Sequence, residues 1–263
     1  MMHAIIIAAI AVGGTGLLIG LLLGMAEKKF YVPVDEREQL IRAALPGANC
    51  GGCGFTGCDA LAEAIAAGAA PSTGCPVGGD QTAAAIAEIL GEEVDGSEPM
   101  VAFVRCQGSR EKTKQIYDYY GIDDCKMVSM IPSGGPKSCD YGCLGYGSCV
   151  KVCPFDAIHI IDGIAKVDAA ACKACKKCIQ ECPKQLIELV PKLSRSKVTC
   201  RSLDRGKEVM DACQVGCIAC KKCQKVCPVG AITVDSNIAY VNQALCTGCG
   251  RCQEVCPRGI ICF

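Results

Sequence analysis

The chain contains no tryptophan, only 5 phenylalanines and 7 tyrosines, and 2 histidines among 263 residues. So few rings leave no large aromatic core and no platform on which nucleic-acid bases would stack. Charge of a dominant sign is also missing: 27 Lys and Arg balance 27 Asp and Glu. A general polyanion-binding role is thereby disfavoured. No Gly-x-Gly-x-x-Gly follows a strand and opens a helix, and no Walker motif occurs, so nothing points to NAD, flavin or a nucleoside triphosphate on this chain. His3 and His159 fall at the start of an apolar run and in a predicted hairpin strand. Neither is a candidate acid or base, and no catalytic residue is assigned.

Cysteine is what the chain has in excess, 25 in all. Such density in a short secreted protein would mean disulfides, but here the chain is long, the count odd, and the spacing that of metal ligands. A reducing compartment is implied, with clusters replacing much of an ordinary core. Cys172, Cys175, Cys178 and Cys182-Pro183 form a C-x2-C-x2-C-x3-C-P run of the bacterial ferredoxin kind, in which three thiolates hold one [4Fe-4S] cube and the fourth reaches the neighbouring cube. The partner run, Cys139, Cys143, Cys149 and Cys153-Pro154, is spaced x3, x5, x3. The expected sets are therefore Cys139, Cys143, Cys149 and Cys182, and Cys172, Cys175, Cys178 and Cys153. Between the runs, AIHIIDGIAKV reads as a hairpin turning at Asp162-Gly163. Zinc sites also use C-x2-C pairs, but need neither the third cysteine nor the fourth before proline.

From Val198 the plan repeats. Cys217, Cys220, Cys223 and Cys227-Pro228, then Cys246, Cys249, Cys252 and Cys256-Pro257, both keep the full spacing, and Cys153 to Cys182 equals Cys227 to Cys256. This is the signature of two tandem ferredoxin pairs; crossing places Cys217, Cys220, Cys223 and Cys256 on one cube and Cys246, Cys249, Cys252 and Cys227 on the other. A further cube is expected on Cys50, Cys53, Cys58 and Cys75, in glycine-rich loops between alanine-rich helical segments. Of the five cysteines left over, Cys262 is read as a free thiol. Cys106, Cys125, Cys200 and Cys213 could hold a sixth cube, since VRC at Cys106 and VTC at Cys200 end equivalent strands; alternatively they are ordinary buried thiols. The stretch from Ser109 to Gly121 reads as a polar helix.

Ala4 to Met25 carries no charge, about 22 residues that span roughly 33 Å as a helix, enough to cross the hydrocarbon core. Lys28 and Lys29 then place the rest of the chain in the cytoplasm. A signal peptide is the competing reading, but no Lys or Arg precedes the run. Gly16, Gly20 and Gly24 share one helix face, as in close helix packing.

A membrane helix, this four-cysteine domain and then ferredoxin modules resemble the layout of the polyferredoxin subunit of the Rnf ion-translocating electron transport complex. The resemblance covers the chain through about Gln185, and the second ferredoxin pair goes beyond the family's shortest members. It implies a membrane-anchored subunit that accepts electrons from reduced ferredoxin and relays them to other membrane subunits. NAD reduction and Na+ or H+ translocation would belong to the whole complex, in a bacterial or archaeal cytoplasmic membrane. Two alternatives stand beside it: a polyferredoxin of a hydrogenase or heterodisulfide reductase, and a redox activator of a corrinoid protein. The expected architecture is α+β. It comprises an anchor at 1–27, a helical four-cysteine domain at 32–92, and ferredoxin modules at 100–192 and 196–263. The four-cysteine site is expected nearest the membrane, and ferredoxin is expected to dock distally at Lys173, Lys176, Lys177, Lys221 and Lys222.

Overall fold

A computed structural model describes residues 2–30, 35–92, 98–193 and 195–263, with side chains from residue 13 onward except that of residue 27. Helix α1 runs Met2–Lys29 without a break. Leu17, Leu18, Leu21, Leu22 and Leu23 on it are all more than half exposed, and a Cβ on Gly16, Gly20 or Gly24 would meet nothing within 4 Å. Among the described residues no helix is long and apolar enough to cross a membrane. The side chains of 4–12, the first part of the expected anchor, lie outside that description.

Three short helices follow: α2 Glu36–Ala44, α3 Cys58–Ala66 and α4 Gly79–Leu90. Asp35 caps α2 by accepting from the Arg37 N–H at 2.9 Å, and Gly91, in the left-handed region, closes α4. Their apolar faces meet in a small core of Ile41, Leu45, Leu61, Ala62, Ile65 and Ile86. Alanine at so many positions lets these helices approach closely around few large side chains.

The first ferredoxin-like unit opens with β1 Met100–Val104. The polar helix expected over Ser109–Gly121 does not form. Thr113 instead bridges antiparallel to Cys213, and Gln115 to Lys137. The Lys114 N–H donates to Ala212 O at 2.9 Å, the Gln214 N–H to Lys112 O at 2.8 Å, and the Ile116 N–H to Pro136 O at 2.8 Å. Tertiary pairing on both sides outweighs local helix preference. After it come α5 Cys125–Ser129, α6 Ser148–Lys151, the hairpin β2 Ile158–Ile161 with β3 Ile164–Val167, α7 Lys177–Glu181, and β4 Ile187–Pro191. The hairpin turns at Asp162-Gly163 with φ 52° and 75°, the double left-handed geometry of a type I′ turn.

The second unit repeats the plan: β5 Lys197–Val198, α8 Gly206–Ala212, α9 Lys222–Val226, the hairpin β6 Ile232–Asp235 with β7 Ile238–Val241, α10 Arg251–Glu254, and β8 Ile261–Cys262. In each unit the first strand returns to pair antiparallel with the last. Val104 lies opposite Ile187, and Val198 opposite Ile261; the Arg105 N–H reaches Leu186 O and the Thr199 N–H reaches Ile260 O, both at 2.8 Å. This register makes Cys106 and Cys200 structural equivalents. The units pack on one another through Arg105 over the Tyr240 ring and Lys197 over the Phe103 ring.

Candidate iron-sulfur sites

Each ferredoxin-type loop folds by the same alternation. The residues flanking the middle position sit in the left-handed region: Gly145 and Gly147, Ala174 and Lys176, Ala219 and Lys221, Gly248 and Gly250. Such alternation turns successive amides toward one side and makes a concave nest for an anion. Four short helices, α6, α7, α9 and α10, begin directly after these residues and carry Cys149, Cys178, Cys223 and Cys252, all buried. After each Cys-Pro the chain turns again, and the N–H of Ala157 reaches Cys153 Sγ, as that of Leu186 reaches Cys182 Sγ, both at 3.4 Å.

Thiols converge on discrete cavities. One is lined by Cys50, Cys53, Cys58 and Cys75, its loop held by Asn49 Oδ1, which accepts from the Cys58 N–H at 2.8 Å. A second is lined by Cys217, Cys220, Cys223 and Cys256, the set that crossing leads one to expect. Cys178 is buried in the core of the first unit with Cys153 and Cys172 packed against it; burial and the charges of Cys175, Cys172 and Cys153 together push its thiol up to about 12. Cys246, Cys252 and Cys227 pack in the core of the second unit, where Cys249 is exposed. The Arg195 guanidinium donates to Cys246 O at 2.5 Å.

Two cysteines line cavities other than those expected of them. Cys125, not Cys139, lines the cavity with Cys143, Cys149 and Cys182. The reason lies in the x5 gap: where the second unit has Cys220 between Cys217 and Cys223, the first has Tyr146 between Cys143 and Cys149. Helix α5 fills that gap from outside the loop. Its first residue, Cys125, donates its N–H to Ser148 Oγ at 2.6 Å, and Asp124 caps the helix while accepting from the Ser148 hydroxyl at 3.1 Å. Cys139, freed from that set, lines another cavity with Cys106, Cys200 and Cys213 at the junction of the two units. Cys106 and Cys139 come from one unit, and their equivalents Cys200 and Cys213 from the other. The Cys143 N–H donates to Cys106 Sγ at 3.4 Å and the Cys217 N–H to Cys200 Sγ at 3.3 Å. The signal was in the sequence: Cys139 precedes Cys143 by the gap that separates Cys213 from Cys217, which pairs Cys139 with Cys213 rather than with a ferredoxin loop. Cys262 is half-buried in β8, in none of these groups.

The donor chemistry suits clusters. Burial, with the charge of surrounding thiolates added to it, pushes Cys139 and Cys149 up to about 12 and Cys143 and Cys223 up to about 11. Bare thiolates are costly in these cavities, and cationic iron would offset their charge. Lys137 adds a buried cation beside them. Its Nζ donates to Gly108 O at 2.8 Å and Gly163 O at 3.1 Å; burial pushes its ammonium below the usual lysine range, and the thiolates of Cys106, Cys143, Cys139 and Cys213 pull it back up. Among the described residues no group of three Cys, His, Asp or Glu side chains could hold a single metal ion.

Residues 45–77 match the family model of a putative Fe-S cluster, and 171–231 and 216–260 match the 4Fe-4S dicluster domain. Over 92% of its length the chain is 48% identical to the B subunit of the Na(+)-translocating ferredoxin:NAD(+) oxidoreductase complex of Acetobacterium woodii, covering 73% of that protein. The chain belongs to the B-subunit family of ion-translocating oxidoreductase complexes. It is 44% identical to the Methanosarcina acetivorans member, with 92% of both chains covered. With the B subunit of the proton-translocating ferredoxin:NAD(+) oxidoreductase complex of Clostridium ljungdahlii it shares 39% identity over 93% of this chain and 86% of that one. A member of this Rnf family with ferredoxin-type domains is an iron-sulfur electron-transfer subunit, itself a carrier that holds 4Fe-4S clusters. The hydrogenase, heterodisulfide reductase and corrinoid readings give way to it.

Proposed function

We propose that the chain is the electron relay of an Rnf-type ferredoxin:NAD oxidoreductase, holding six [4Fe-4S] cubes. The ligand sets are Cys50, Cys53, Cys58 and Cys75; Cys125, Cys143, Cys149 and Cys182; Cys172, Cys175, Cys178 and Cys153; Cys106, Cys139, Cys200 and Cys213; Cys217, Cys220, Cys223 and Cys256; and Cys246, Cys249, Cys252 and Cys227. When bound, the clusters supply reversible one-electron chemistry, while the protein spaces them and sets their potentials. The observation that carries the reading is the thiol-lined cavity between the two units, because a site there joins two ferredoxin pairs into one path. Its four thiols arrive from both units, so neither pair could build it alone.

The relatives' names speak of ferredoxin, NAD and a translocated sodium ion or proton. In our reading ferredoxin delivers electrons at the ferredoxin-type units, where Lys173, Lys176, Lys221 and Lys222 are exposed and Lys177 is half-buried. A basic rim steers an acidic carrier. Electrons leave through the four-cysteine unit toward membrane subunits, which carry the flavin, the NAD site and the ion path. Helix α1 is the single-pass anchor, supported by its exposed leucines and by Lys28 and Lys29 in its last turn; the units at 32–92, 100–192 and 196–263 then face the cytoplasm. Anaerobic purification of the intact complex tests the count. Six cubes require about 24 iron and 24 sulfide atoms per chain, and about 20 in a fully loaded preparation would remove the junction site.

A further inference from the structure

Two cysteine loops of different units touch backbone to backbone. Gly52 lies between Cys50 and Cys53, and a Cβ on it would stand 2.8 Å from the Cys175 carbonyl oxygen, 2.9 Å from Cys175 Cα and 3.2 Å from its carbonyl carbon. Cys175 is the middle cysteine of the Cys172–Cys178 loop. The neighbours Gly51 and Gly54 have φ of 70° and 91°, so their turns require glycine. Gly52 has no positive φ, and an L residue could adopt its backbone. What excludes a side chain there is the contact. Beside the contact the loops diverge around a groove of about 490 Å3, lined by Cys53 and Cys75 on one wall and Cys172, Lys173 and Lys176 on the other.

We propose that Gly52 is a positioning residue: by carrying no side chain it seats the four-cysteine loop on Cys175 and so sets the distance an electron crosses between the two sites. This rests on the cluster reading above. The step is a single-electron exchange in which one site is oxidised as the other is reduced, with no bond made or broken and no proton moved; the relay's own donor supplies the electron. Its rate falls exponentially with separation. An alanine methyl cannot be relieved by rotating a side chain, since the three atoms nearest to it are all backbone. Reaching an ordinary contact of 3.4 Å from the present 2.8 Å requires the loops to part by roughly 0.6 Å, and valine requires more.

The test uses the full chain, loaded anaerobically, as wild type, Gly52→Ala and Gly52→Val. Gly68→Ala serves as the control for strain without contact: Gly68 lies in the four-cysteine unit with φ 73°, so alanine there is strained, but its Cβ meets nothing within 4 Å. Iron content and the EPR spectrum of the fully reduced protein are read. The component of interest is the spin-spin broadening that vanishes in Cys50→Ser with Cys58→Ser. We expect iron to stay at the wild-type level in both Gly52 variants. The broadening should weaken in Gly52→Ala and weaken further in Gly52→Val, electron redistribution after rapid partial reduction should slow in the same order, and Gly68→Ala, though strained, should keep the wild-type broadening and rate. Unchanged broadening with full iron would overturn the proposal, as would a loss of iron in Gly52→Ala, which would make Gly52 a folding residue of its own loop. Failure of the underlying cluster reading is separable: Cys50→Ser with Cys58→Ser would then lose no iron.

Discussion

The two ferredoxin-type units share a backbone plan and differ in where one thiol comes from. In the second, Cys217, Cys220 and Cys223 all lie on one loop, and α9 starts on its final turn. The first keeps the same two left-handed turns, at Gly145 and Gly147, but has Tyr146 in the middle and takes Cys125 from a separate helix. Tyr146 is not idle: its ring meets Tyr119 edge-on at 5.1 Å and packs against the cluster of Cys125, Val128 and Leu144. The ring that stands where the second unit has Cys220 thus packs against the helix carrying Cys125. A ligand on an inserted segment can depend on that segment's fold, whereas one on the loop cannot be lost without the loop. The same insertion carries the strand-like 112–116 that clasps the second unit, so cluster assembly in the first unit and docking of the second share residues.

Paired substitutions break this comparison most sharply. Cys125→Ser with Cys143→Ser removes two ligands of one cube in our grouping and should lose about four irons per chain, whereas Cys139→Ser with Cys143→Ser strikes two cubes and should lose about eight. The reverse pattern would restore the x3, x5, x3 grouping. In the second unit, Cys217→Ser with Cys220→Ser should lose about four irons, since both thiols lie on one loop.

A second contrast is electrostatic. Lys137 stands two residues before Cys139 and is 4% exposed; at the equivalent place before Cys213 the second unit has Asp211, which is exposed. Lys137→Met leaves the Gly108 and Gly163 carbonyls without their buried donor and should cost about 2–4 kcal/mol. Asp211→Asn should stay within about 0.5 kcal/mol. Thermal unfolding of the two variants checks both; an equal effect would mean the burial of Lys137 carries no stability.

The lysine rim asks which unit meets the donor. Reversing Lys173 and Lys176 to Glu should raise the KM for ferredoxin several-fold at low salt, and the effect should shrink as ionic strength rises. Reversal of Lys221 and Lys222 measures the other unit in the same assay. No change from either pair would remove ferredoxin docking from these faces.

Much of this was legible in the chain. Asp162-Gly163 between alternating residues predicts a hairpin, and β2 and β3 pair around it; the repeated VRC and VTC predict equivalent strands, and β1 and β5 pair alike with β4 and β8. What was not legible depends on distance in space. A spacing rule assigns ligands along a loop and cannot see Cys125 arriving from a helix 18 residues before Cys143. Nor does local propensity see that 112–116 has hydrogen-bond partners waiting on both sides. Gly52 reads as one more turn glycine until Cys175 is found against it.

The smallest expected effect separates the two loops at their shared left-handed position. Gly145 and Ala219 occupy equivalent places with φ of 80° and 51°. At Gly145 a Cβ would lie 2.3 Å from Gly163 O, backbone of the hairpin turn. Gly145→Ala therefore meets both the left-handed strain, about 1–2 kcal/mol, and a clash that only hairpin movement relieves. It should destabilise the first unit by about 2 kcal/mol or more. Ala219 already bears the strain in the second unit. Ala219→Gly relieves about 1 kcal/mol of it but gives the unfolded chain more freedom, worth about 0.4–1 kcal/mol, so the terms nearly cancel. Denaturant unfolding of the two variants should show a large shift for the first and almost none for the second. A marked loss of stability from Ala219→Gly would mean that the Ala219 methyl packs in the second unit with an energy its left-handed strain conceals.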